Sequence, residues 1–278
     1  MSAPYLEYYL GDIIASPVDH VAAGDYSEKL LYIPPPFLVN NCQRRSMDEE
    51  VAISEKTIRE STWRRSDLSL PTHSPVVANF NQMFKVDEET FAVWTDVLRS
   101  APEATLWIQR WDERSALGFE RQWNATGLEL GRLVMTSPPP VVFPKAWNEH
   151  AVLADIFMDT FVYGAVTTLP DVLWLGVPVF SIPGDRTCAR VAASFLAALG
   201  TMQLTARNHR DYIALVSAVL RRPRALAKAQ VAVRRRRAAK ARLFDTAAWV
   251  QSAERAFRLS LEVYTAIGSP RHIIVAEL

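Results

Sequence analysis

The residues of this chain best able to do chemistry cluster in one stretch, Asp155 to Ser194, with the sequence DIFMDTFVYGAVTTLPDVLWLGVPVFSIPGDRTCARVAAS. The pattern reads as strand, loop, helix, strand, loop, helix. The first helix opens at Thr167–Thr168, and Asp171 follows one turn later on the same face. A helix start leaves backbone N–H groups unpaired and carries partial positive charge, so it attracts phosphate. The two threonine hydroxyls add donors, and the carboxylate can accept from ribose hydroxyls. Together these suit a phosphorylated nucleotide. The same residues also fit an ordinary βαβα unit capped by threonines, and the pattern alone leaves both readings open. Upstream, Gln82 and Lys85 follow a short apolar strand. A lysine there either offers a point charge to a diphosphate or begins a helix at the surface.

The elements that would position these groups follow from periodicity. From Val76 onward, apolar strands (VVANF, ATLWIQRW, RLVMTS, DIFMD, PVFSIP) alternate with helical segments. Asp87 is a candidate N-cap, and Phe91, Trp94 and Leu98 share one helix face. Alternation of this kind implies α/β architecture, a parallel sheet covered by helices on both faces, with ligands at the carboxyl ends of the strands. SPPPVVFPKAW, after the third strand, is too rich in proline for regular structure. Residues 1–40 read as a short αβ remnant, with GDIIASP a strand running into a turn. Residues 41–74 are polar and read as a linker, partly disordered. Residues 75–207 form a Rossmann-like lobe, and 208–278 read as helices only. The run Arg234 to Arg237 suggests nuclear import or nucleic-acid binding. Four consecutive arginines wrap around a helix, however, and the expectation is a solvated helix face.

Composition narrows the function. The chain has 278 residues, 49% of them hydrophobic, enough to bury a substantial core. A net charge of +1 gives no global field toward nucleic acid or membrane. Cys42 and Cys188 form neither a disulfide framework nor a metal spacing, which fits a reducing compartment. The N-terminal residues do not read as a secretory signal, and no apolar run approaches the ~20 residues needed to span a bilayer. No internal repeat is present in the sequence.

Four segments in order, YSEKLLYIPPPF (Tyr26 to Phe37), NFNQMFKV (Asn79 to Val86), the stretch Asp155 to Ser194 and LFDTAAW (Leu243 to Trp249), resemble the catalytic region of O-linked N-acetylglucosamine transferases. The likeness covers nearly the whole chain. It implies the C-terminal Rossmann-like lobe of a GT-B glycosyltransferase, following a remnant of the first lobe. It also implies inverting, metal-independent transfer of N-acetylglucosamine from UDP-GlcNAc to Ser or Thr of proteins by an enzyme of the cytoplasm, the nucleus or both, with no cofactor beyond the donor. Gln82 and Lys85 match the phosphate-binding residues of NFNQ-x-x-K, with Lys85 stabilising the charge of the departing diphosphate. Lys145, in FPKAWNEH, matches a lysine that contacts the nucleoside, although the spacing to His150 differs. Thr167, Thr168 and Asp171 complete the donor set. Backbone groups near Phe143 would read the base edge, and uracil and guanine both remain open.

Two departures stand out against the resemblance. Val166 replaces a histidine that precedes the threonine pair and donates to phosphate. The first lobe and the helical repeats that supply acceptor contacts in the family are expected from a partner or from sequence beyond this chain. None of the five histidines sits in a motif that nominates it as general base. Two alternatives stay open: an O-fucosyltransferase-like enzyme using GDP-fucose, which shares the DTF-x-Y pattern of Asp159 to Tyr163, and a noncatalytic nucleotide-binding or scaffold module.

Overall fold

The computed structural model describes residues 5–42, 63–138 and 150–276. Two parallel sheets organise these residues. The larger sheet has five strands in the order β5-β4-β3-β6-β7: β3 (Val76–Asn79), β4 (Thr105–Gln109), β5 (Leu133–Thr136), β6 (Ile156–Met158) and β7 (Val179–Phe180). All four pairings are parallel, with Val77 opposite both Leu106 and Ile156. The chain lays down β3, β4 and β5 in one direction, then returns to the other side of β3 for β6 and β7. The switch point between β3 and β6 is where a doubly wound sheet opens a crevice at its carboxyl edge.

The strands are near-continuous apolar runs because helices cover both sheet faces. Val76, Val77, Leu106, Trp107, Ile156 and Phe157 are fully buried. Each such side chain contributes about 1.5–3 kcal/mol over its exposed state. Helix α2 (Glu88–Ser100) follows β3 and is capped by Asp87, which accepts from the Thr90 amide at 2.8 Å and the Thr90 hydroxyl at 2.9 Å. Its inner face buries Trp94, Val97 and Leu98, whereas Phe91 is only half-buried. Helix α3 (Glu113–Ala125) follows β4 and is capped by Asp112. Three further helices complete the lobe: α4 (Thr168–Trp174), α5 (Val191–Leu199) and α6 (His209–Leu220), with α6 packed on α2.

The smaller sheet joins β1 (Tyr8–Gly11) and β2 (Lys29–Tyr32), linked through α1 (Val18–Ala22), to a third strand from the far end of the chain. That strand, β8 (Ile273–Ile274), pairs Ile273 with Leu31 and Ile274 with Tyr32. This corrects the all-helical reading of the C-terminal residues: two residues carry no period, and only contact with β2 makes them a strand. The first strand also ends where GDIIASP was expected to begin. Asp12 accepts from the amides of Ile14 and Ala15, both at 2.8 Å, and so turns the chain immediately after Gly11. Its other oxygen accepts from the Phe37 amide at 2.8 Å and from the Ser194 hydroxyl on α5, fastening the small sheet to the large lobe. Helix α8 (Thr246–Ile267) crosses back over this sheet, burying Ala256 against Leu31 and Ile273, while the Trp249 indole donates to the Phe37 carbonyl at 3.2 Å. Tyr5, Leu6, Ile13, Phe257, Leu261 and Ile274 remain exposed around it.

Two further expectations change. Of the supposed linker, the described ends belong to the lobe: Cys42 and Leu70 are buried in the main core. Arg65 donates to the carbonyls of Leu153, Pro71 and Ser74 and pairs with Asp155 at 2.8 Å. Its polar composition hid these anchors, because one arginine bonding several carbonyls leaves no periodic trace. The arginine run lies on α7 (Pro223–Ala238) and is only partly a solvated face. Arg237 donates to the Trp174 carbonyl at 2.6 Å, and its guanidinium lies 5.8 Å from the Trp174 ring centre. Arg234 lies against Gly176 and Arg236 against Gly200, both glycines with positive φ just past the ends of α4 and α5. Cations thus meet the negative ends of two helices, and any side chain at Gly176 would collide with Arg234.

Candidate functional site

The site is built from the loops that leave β3 and β6 at the switch point. Asn79, the last residue of β3, is buried, and its amide donates to the Met158 carbonyl at 2.7 Å while its oxygen accepts from the Asn81 amide at 2.9 Å. The Asn81 side chain donates to the Thr160 hydroxyl at 3.0 Å, which in turn donates to the Tyr163 carbonyl at 2.6 Å. The Trp111 indole, beyond β4, donates to the Asn81 carbonyl at 3.0 Å. Short polar side chains therefore sew the two loops together and fix the backbone that presents the remaining groups.

Lys85 ends the short 3-10 turn Met83–Lys85 and reaches across to the β6 loop. Its ammonium donates to the Gly164 carbonyl at 3.0 Å and lies 4.0 Å from the centre of the Tyr163 ring. Burial pushes the ammonium below its ordinary range, while nearby Asp159 and Cys188 act in the opposite sense. A carbonyl and a ring face hold the cation without neutralising it, so its charge stays available to an anion. Gln82 is exposed at the start of the same turn.

The β6 loop then runs from Asp159 to Thr167, the N-cap residue of α4. Thr167 is exposed and makes no side-chain cap bond, and Thr168 is half-buried in the first turn. Because α4 is only seven residues long, its aligned dipole is modest, and the hydroxyls and free amides carry more of any anion binding. Asp171 is half-buried, and its carboxylate accepts from the Cys42 thiol at 3.3 Å. Val166 packs partly buried against the core, so no donor stands at that position. The structure thus brings Lys85 onto the loop that leads into Thr167, Thr168 and Asp171. Lys145 lies outside the described residues.

His150 is buried among Trp107, Phe80 and Trp63, with ring centres 4.6, 6.2 and 6.1 Å away. Burial drives its pKa down to about 4, so the imidazole is neutral. Sequence reasoning assigned no role to Asp159, Asn79, Asn81 or Cys42. Asp159 left one signal, an acid directly ending an apolar strand. Cys42 left none, since its contact with Asp171 joins residues far apart in the chain.

This strand order, a cation and a helix opening at a threonine pair by the switch point, and a last helix returning to a second parallel sheet define the C-terminal lobe of a GT-B glycosyltransferase fold. The comparisons agree. A mutant of Thermobaculum terrenum O-GlcNAc transferase superposes with a TM-score of 0.69 at 22% identity, over 92% of this chain and 46% of that one. The probable UDP-N-acetylglucosamine--peptide N-acetylglucosaminyltransferase SEC of Arabidopsis thaliana is 30% identical over 279 residues, 99% of this chain and 27% of that protein. The UDP-N-acetylglucosamine--peptide N-acetylglucosaminyltransferase of Caenorhabditis elegans is 30% identical over 151 residues, 54% of this chain and 13% of that protein. The family model for glycosyl transferase family 41 matches residues 40–253, and the chain belongs to that family. It spans about a quarter of the length of the Arabidopsis relative. Among the described residues no helix is long and apolar enough to cross a membrane.

Proposed function

We propose that this chain is the donor-binding part of a protein O-GlcNAc transferase-like enzyme of the cytoplasm, the nucleus or both, which transfers N-acetylglucosamine from UDP-GlcNAc to Ser or Thr hydroxyls of proteins. The observation that carries the reading is the contact of Lys85 with Gly164, three residues before Thr167. It supports the reading because a cation then rests on the loop that leads into the Thr167–Thr168 helix start, in a chain of family 41. In the inverting reaction, the acceptor oxygen attacks the anomeric carbon as the bond from that carbon to the diphosphate oxygen breaks. The electron pair leaves with UDP. Lys85, the Thr167 and Thr168 hydroxyls and the α4 amides stabilise that growing charge from fixed positions and take the role a metal would otherwise fill. Gln82 adds a donor to the phosphates, Asp171 accepts from ribose, and Lys145 contacts the nucleoside. The acceptor groove and general base come from a first lobe or a helical-repeat partner.

Val166 favours a second reading, a nucleotide-binding module without turnover, because it puts an apolar side chain where the resembled enzymes keep a phosphate donor. Calorimetric titration with UDP and GDP, with and without a chelator, tests the donor assignment. Transfer from radiolabelled donor to a Ser/Thr peptide, with a first lobe supplied, tests turnover. The proposal expects chelator-insensitive UDP binding and transfer on adding the lobe. Preference for GDP would move the assignment to a fucose donor, and binding without transfer would favour the module.

A further inference from the structure

We propose that Asp159 is a positioning residue for the diphosphate site, holding Lys85 and the loop that opens α4 as one unit without itself touching the donor. The inference rests on the reading that this edge binds a nucleoside diphosphate. Asp159 is fully buried at the end of β6. One carboxylate oxygen accepts from the Ala165 amide at 2.8 Å, and the other accepts from the Ser181 hydroxyl beyond β7 at 3.4 Å. Gly164 closes over this carboxylate: a Cβ there would stand 2.8 Å from the Asp159 oxygen and 3.3 Å from the Cys188 carbonyl. The Gly164 amide donates to that Cys188 carbonyl at 3.0 Å, and the Gly164 carbonyl receives the Lys85 ammonium at 3.0 Å.

One dipeptide, Gly164–Ala165, is therefore bonded backward to Asp159 and across to Lys85, and two residues later the chain enters α4 as Thr167. A buried carboxylate is costly to keep, and burial pushes this one up to about 6. Its bonds offset that cost by fixing the loop, alongside those of the Cys188 carbonyl and the Thr160 hydroxyl. The loop so fixed receives Lys85 and leads into the Thr167–Thr168 helix start.

The test uses the full chain and two readouts. Affinities for UDP and for uridine are measured by calorimetry. The rate at which trace acetic anhydride acylates Lys85 in the ligand-free protein is read by mass spectrometry. Asp159→Ala is expected to weaken UDP roughly ten-fold while leaving uridine unchanged, as loosening a preorganised group does. It should also speed Lys85 acylation several-fold, because the ammonium loses its fixed carbonyl. Asp159→Asn should restore both, with its oxygen accepting from Ala165 and its amide facing Ser181. Should Asp159→Ala not fold, Gly164→Ala poses the same question by driving a methyl group into the carboxylate. Equal losses for UDP and uridine, or an unchanged acylation rate, would overturn the proposal. A wild-type chain that binds neither UDP nor GDP would instead overturn the functional reading, and the acylation rates would still decide the role of Asp159.

Discussion

Two buried titratable groups at the sheet edge pull the acid stability of this protein in opposite directions. His150 has its pKa lowered from 6.5 to about 4 by burial in its aromatic cage. In the unfolded chain it takes up a proton below 6.5, whereas the folded protein refuses one until about 4. Acidification across that window therefore favours the unfolded state, by about 3 kcal/mol at 1.36 kcal/mol per pKa unit. Asp159 has its pKa raised from 3.8 to about 6, again by burial first of all. The folded protein binds this proton at a pH where the unfolded chain does not, so acidification from about 6 to 3.8 favours folding, also by about 3 kcal/mol. The two contributions offset each other, and neither is visible in the wild-type profile. Urea denaturation at intervals from pH 4 to 7 should separate them. Asp159→Asn should lose about 3 kcal/mol relative to wild type as the pH falls from 6.5 to 4, and His150→Phe should gain about as much. The double variant should run parallel to wild type, because the remaining carboxylates titrate alike in all four proteins. The reasoning fails if the His150→Phe profile runs parallel to wild type, or if either single variant moves with the opposite sign.

Lys85→Ala should weaken UDP by about 1.5–3 kcal/mol, the range for a hydrogen bond to a charged group, and leave uridine affinity nearly unchanged. Equal losses in titration would mean that Lys85 does not meet phosphate. Arg237→Ala should lower the melting temperature, because it removes a bond to the Trp174 carbonyl. Exposed Arg235→Ala should stay within about 0.5 kcal/mol of wild type. Matching melting curves for the two would show that the arginine run does not dock α7. Asp12→Ala strips the acceptor from the buried Ala15 amide, the half-buried Ile14 and Phe37 amides and the Ser194 hydroxyl. It should cost about 3 kcal/mol or more, and proteolysis should show the small sheet released before the large lobe; simultaneous release would argue against a latch.

The α/β class and the run of strands from Val76 to Phe180 are legible in the residues alone, because a strand buried on both faces must be apolar along its length and a covering helix must be apolar on one side. Lys85 and the Thr167–Thr168 helix start are legible too, since a lysine after a strand and hydroxyls at a helix start are local patterns. What those groups rest on is settled by folding. Asp159 reads as an acid at a strand end until Gly164 folds over it and Ser181 arrives from β7. The arginines of α7 read as solvated until the ends of α4 and α5 come under them. Ile273 and Ile274 become a strand only where β2 offers its edge, and Cys42 meets Asp171 only after the chain has laid down β3, β4, β5 and β6 between them. Apart from the turn that brings Gly164 over Asp159, the deciding contacts join segments distant in the chain, and a contact of that kind leaves no period or spacing to read.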